Sequence, residues 1–162
     1  MTPSAVPVQY ATFAVAGHFL GIDVLQVQEV LREQRLTPVP LAPDVVQGLI
    51  NLRGQIVPAL DLRRLLQLPP HPGGVAPLSI VVRTPQGPVS LQADEIGDVI
   101  HLDAATFESA PENVDASVRP LLCGVHKLHQ RLLLVLDTAR ATGAAAAAAA
   151  SDTRSHHGEK TE

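Results

Sequence analysis

The sequence predicts a mainly β fold in which two copies of one small barrel pack on each other with short helices, and three observations predict it. Val, Leu and Ile come in short runs bounded by Gly, Pro, Asn and Asp, a pattern that favours strands. A strand, turn, strand and helix-cap unit occurs twice. Placing Gly48 on Gly124, an offset of 76 residues, puts Leu52 on Leu128, Leu60 on Leu136, Asp61 on Asp137 and Arg64 on Arg140 without a gap. Earlier in each half, Val27-Gln28-Glu29-Val30 matches Ile96-Gly97-Asp98-Val99 at an offset of 69, the difference being absorbed in a longer connection before Pro120. Each copy is too small to hold a generous core alone, so the two are expected to pack together.

In chain order, residues 1 to 8 hold two prolines and no period, which reads as a loose arm. From Gln9 to Val15 side chains alternate in strand fashion, and Gly17-His18 supplies a turn into a second strand over Phe19 to Asp23. Val24 to Leu31 is apolar at 24, 27, 30 and 31, a spacing that fits a short helix or turn as well as a strand. Prolines 38, 40 and 43 punctuate an extended connection. Gly48 to Leu60 reads as a hairpin folded around Arg53-Gly54, with Pro58 demanding an edge or a bulge where it sits. Asp61 is placed to cap a short helix whose Leu62, Leu65 and Leu66 share a face until Pro69-Pro70 stops it.

His71-Pro72-Gly73-Gly74 divides the chain into halves of about 9–70 and 75–142. Leu78 to Val82 and Val89 to Ala93 form the opening hairpin of the second half around Pro85-Gln86-Gly87-Pro88. A polar connection is expected from Val99 to Pro120, then a closing hairpin of Leu121 to Leu128 and Arg131 to Leu136, with Asp137 as the second helix cap. Residues 143 to 162, an alanine run and a polar end, read as a disordered and dispensable tail.

Composition excludes several function classes. At 162 residues, 46% apolar and net charge -4 with scattered Lys and Arg, the chain has no basic stripe for nucleic acid, and four aromatics supply no stacking platform. A lone Cys123, no signal-peptide pattern and no apolar run long enough to span a bilayer predict a cytoplasmic protein that is not membrane-inserted. Cys123, His126 and His129 are the one set with metal-ligand character. A strand would turn 126 away from the other two, so they are expected to be exposed or edge side chains and no metal or other cofactor is expected. No phosphate-cradling glycine loop, nucleophile elbow or activated cysteine is present, so no enzyme is expected. Glu29 and Arg53 sit in apolar neighbourhoods, which leaves open whether they are solvated charges or a partly buried pair.

The stretch Gly48-Leu49-Ile50-Asn51-Leu52-Arg53-Gly54 through Pro58 to Asp61-Leu62-Arg63 closely resembles the central signature of CheW-like domains. Gly21-Ile22-Asp23-Val24, Val27-Gln28-Glu29-Val30, Phe13 and Leu132 to Asp137 resemble further parts of that pattern. The closing turn His129-Gln130-Arg131, together with Thr138 and Ala139, departs from it. The resemblance implies two tandem, interlocked SH3-like five-stranded subdomains without catalytic activity. It implies two partners, the regulatory domain of a CheA-type histidine kinase and the cytoplasmic helical tip of a chemoreceptor. Carried over by position, Val24, Val27, Glu29, Val30, Gly48 and Arg53 would form or support the receptor groove, the three valines making a strip if their segment is helical. An adaptor of a sister pathway such as twitching motility is the alternative, and a small barrel for another ligand class the remoter one.

Overall fold

A computed structural model describes residues 7–32, 35–70, 78–143 and 145. In chain order the strands are β1 (Val8–Val15), β2 (His18–Asp23), β3 (Val27–Leu31), β4 (Val46–Leu52), β5 (Gln55–Asp61), β6 (Leu78–Val82), β7 (Val89–Ala93), β8 (Glu95–Leu102), β9 (Phe107–Glu108), β10 (Leu122–Leu128) and β11 (Arg131–Leu136). A short helix, α1 (Leu62–Leu65), follows β5, and residues 138–143 form a second helix, α2. The predicted fold class holds, and the alternating strands, turn residues and caps explain most element positions.

The sheets do not follow the two halves of the chain. One runs β8-β1-β2-β11-β10-β9 and the other β3-β6-β7-β5-β4. Each barrel therefore takes its opening hairpin from the opposite half, which corrects the assignment of one subdomain to about 9–70 and the other to about 75–142. The repeat is nevertheless kept in detail. Parallel pairing of Ala59 with Ser90 is matched by Val135 with Gly21, and the bulge between Val46 and Gly48 by that between Leu122 and Gly124. These pairs obey the same offsets of 76 and 69 seen in the sequence.

Burial explains why the exchange is stable. The opposed faces of both sheets, with Phe13, Leu20, Ile22, Leu62, Ile80, Leu91 and Leu136, join one core shared by the two barrels. Two smaller clusters fill the barrels themselves, one around Tyr10, Leu133 and Val135 and the other around Ile50, Val57 and Ala59. The shared core is far larger than either, so neither barrel has much to gain from folding alone.

Several expectations change at the ends of elements. Strand β1 begins at Val8, inside the predicted arm, whose residues 1–6 lie outside the described residues. Val24–Gln26 is a single 3-10 turn and β3 follows at once, so the three valines do not lie on one helix face. β8 runs on to Leu102, because Ile100 and Leu102 line the β1 side of the barrel, and β9 pairs briefly with β10 inside the supposed connection. Pro58 is accommodated at the place where β5 has β4 on one side only, since the ladder to β7 starts at Ala59. Ala145 is helical and packs into the shared core with Ala141, so the fold extends past the predicted boundary at Thr142. The His71–Gly74 breaker and the rest of the tail lie outside the described residues.

Candidate functional site

Arg53 occupies the β4–β5 turn with φ 52°, beside Gly54 at φ 85°, a pair of left-handed residues that a two-residue hairpin needs. The Asn51 side chain accepts the Gly54 amide at 2.9 Å and fixes the loop. From there the guanidinium donates to both carboxylate oxygens of Glu29, at 2.8 and 3.1 Å. Glu29 lies on β3 and Arg53 beside β4, the two edges of the five-stranded sheet, so this pair clasps the barrel where it closes. Its burial is one-sided, with Glu29 18% exposed and Arg53 76%.

The other predicted site residues fall around this clasp in different roles. Val24 and Val27 are half-buried, and Val27 packs against the shared core, whereas Val30 is 40% exposed and Leu25, in the turn between them, 81%. Gly48 is buried at the β4 bulge, where a Cβ would stand 2.7 Å from the Thr37 carbonyl oxygen. Its equivalent Gly124 meets the Glu108 carbonyl oxygen at 2.5 Å in the same way, so both glycines permit a segment to cross the bulge. Asp61 accepts the Arg63 amide at 2.9 Å and Asp137 the Arg140 amide at 3.0 Å, the predicted caps. Arg64 and Arg140, the residues that the repeat superposes, each lie near their own cap, at 3.9 and 3.4 Å.

Two polar clusters escaped the sequence reading. Arg63 donates to both oxygens of Asp94, at 3.1 and 2.6 Å, with side chains 12% and 19% exposed. Asp94 sits at the passage from β7 to β8 and also accepts the Ala16 amide at 2.7 Å, so it ties α1 to the β1–β2 turn of the other barrel. The hydrogen-bonded carboxylate raises the Arg63 pKa further above its ordinary value. The only available signal was an arginine closing the Asp61-Leu62-Arg63 motif.

The second cluster corrects the reading of His126, which is fully buried rather than at an edge. Its Nε2 lies 3.0 Å from the Tyr10 hydroxyl and its Nδ1 2.9 Å from the Thr106 hydroxyl. Cys123 and His129 are exposed, so the three do not converge, and among the described residues no group of three or more potential ligands is placed to hold a metal.

A family model for the CheW-like domain matches residues 9–145. The chain belongs to the CheW-like domain family. It is 34% identical over 125 residues to the chemotaxis protein CheW of Bacillus subtilis, covering 77% of this chain and 80% of that one. With the chemotaxis protein CheW of Klebsiella aerogenes identity is 31% over 129 residues, or 80% and 78% of the two chains. Protein PilI of Pseudomonas aeruginosa is 29% identical over 122 residues, 75% and 68% of the two. Among solved structures, the scaffolding protein TtCheW of Thermoanaerobacter tengcongensis superposes with a TM-score of 0.72 at 25% identity, covering 80% of this chain and 88% of that one. The matched residues 9–145 include the clasp arginine, the bulge glycine and both caps.

Proposed function

We propose that this chain is a non-catalytic scaffold of bacterial chemotaxis that couples chemoreceptors to a CheA-type histidine kinase in the cytoplasm, at receptor arrays. The observation that carries the receptor site is the Arg53–Glu29 clasp. It joins β3 to the β4–β5 turn, and two apolar side chains of the same stretch, Val30 on β3 and Leu25 in the turn before it, stand exposed among the described residues. A receptor helix lying there would bury the valine and leucine, while the clasp ties β3, which carries the valine, to the β4–β5 turn. The kinase regulatory domain would take a different face, formed by second-half strands.

Val30→Glu tests the assignment, since an exposed position spares the fold while a charge at an apolar contact removes the partner. The variant is expected to melt like the parent, to retain kinase and to lose receptor in pull-downs. Retention of both partners by a folded variant places the receptor elsewhere. Val27→Glu is the poorer probe, because Val27 packs on the core and a charge there acts on stability first. The similarity to Protein PilI favours a second reading, an adaptor of a sister pathway such as twitching motility, which the identity of the captured receptors distinguishes.

A further inference from the structure

His126 sits inside the six-stranded barrel with both ring nitrogens engaged, and donor accounting fixes its state. The Thr106 hydroxyl donates to the Asp103 carbonyl at 2.9 Å, so towards the ring its oxygen accepts, and Nδ1 carries the proton. Nε2 then holds a lone pair, which accepts the Tyr10 hydroxyl proton. Only the neutral ring completes this chain. The Phe107 ring lies 5.3 Å from the imidazole, and β9 is held to β10 through just two register pairs, Val125 with Glu108 and His126 with Phe107.

We propose that His126 is an acid-sensitive pin, and that residues 103–108, whose strand β9 covers part of the outer edge of β10, stay docked only while the ring is neutral. Release would bare the edge of β10 and expose Phe107 fully, changing what this side of the molecule offers to another chain. A protonated ring would present two donors, and the Tyr10 hydroxyl could no longer donate to Nε2. Of the elements packed around the ring, β1 contributes Tyr10, with Asp23 of β2 and Cys123 of β10 acting electrostatically on that phenol. Glu108 of β9 pairs outward with Lys127 at 3.4 Å, and Leu133 of β11, opposite His126, is uncharged. Among the described residues no carboxylate pairs with the imidazole, so the buried charge would have no counter-ion.

Burial lowers the His126 pKa below its ordinary 6.5. Once 103–108 lifts away, the ring meets water and returns towards that ordinary value. The open form therefore takes the proton first: docking is complete above the ordinary value and is lost as pH falls towards the pKa of the docked ring.

Amide hydrogen exchange of the full chain, corrected for intrinsic rates, tests this together with an NMR titration of the His126 ring. Protection over Thr106 to Glu108 is expected to fall about tenfold or more between about pH 7.5 and about pH 5, with the Leu20–Leu134 ladder unchanged. His126→Gln, which stays neutral, is expected to hold its protection across that range. Thr106→Val, which removes the acceptor for Nδ1–H, is expected to be open already at neutral pH, and this reading stands if the glutamine variant does not fold. Protection that persists while the ring titrates overturns the proposal. So does equal acid loss in the glutamine variant, loss spread over the whole barrel, or neutral-pH protection retained in Thr106→Val.

Discussion

Two arginines that differ in burial should differ in what their removal costs. Arg63 and its partner Asp94 are largely covered and share a bidentate contact, so Arg63→Met is expected to lose about 3 kcal/mol in urea unfolding, because it takes two charge-assisted hydrogen bonds from a carboxylate largely shielded from water. A loss below about 1 kcal/mol would mean the pair is effectively solvated. Arg53→Ala removes an equally regular pair but a guanidinium that is 76% exposed, so its double-mutant cycle with Glu29 is expected to give a coupling of about 0.5–1 kcal/mol. The Glu29–Arg53 contact was half legible: apolar flanks pointed to a pair, but nothing in a linear sequence says which of two charges faces water. His126 was illegible for a related reason. A histidine between Val125 and Lys127 has the pattern of a surface strand, and only the fold brings Tyr10 and Thr106 to it from positions 116 and 20 residues away.

At the level of elements, the turn glycine Gly54 and the caps Asp61 and Asp137 were the most readable features because their roles are local, whereas the bulge at Gly48 depends on a segment that crosses it. Gly48→Ala is expected to lower the melting temperature by several degrees, since its Cβ would press on backbone rather than on a movable side chain. Gly54→Ala meets open space, and its cost should be that of a left-handed turn residue alone, about 1 kcal/mol. An unchanged melting point for Gly48→Ala would show that the bulge adjusts. The boundary at Thr142 was set too early because an alanine run carries no apolar period, so nothing in the sequence distinguishes the buried Ala145 from its neighbours. Removal of residues 146–162 is expected to leave the melting point unchanged, whereas a cut after Thr142 takes Ala145 from the core and should lower it.

For the whole molecule, the repeat was visible in the sequence but the exchange of hairpins was not. Offsets of 76 and 69 say which segments are alike, and pairing of β1–β2 with β11 or of β6–β7 with β5 satisfies those offsets as well as pairing within each half would. The choice is made by the shared core, a tertiary property. Segments 7–70 and 78–145, produced separately, are therefore expected to be unfolded alone and to form the native sheets when mixed, a recovery that circular dichroism would register. The same interlocking suits a scaffold: two barrels that share one core hold the faces proposed for receptor and kinase in a fixed relation. Co-sedimentation of a CheA-type kinase with receptor-bearing membranes, with and without this chain, tests the scaffold reading most directly. Kinase is expected to pellet with receptor in proportion to added chain, and to remain in the supernatant when Val30→Glu replaces it. Kinase that pellets equally without the chain, or that stays in solution while the folded chain is present, would contradict the account.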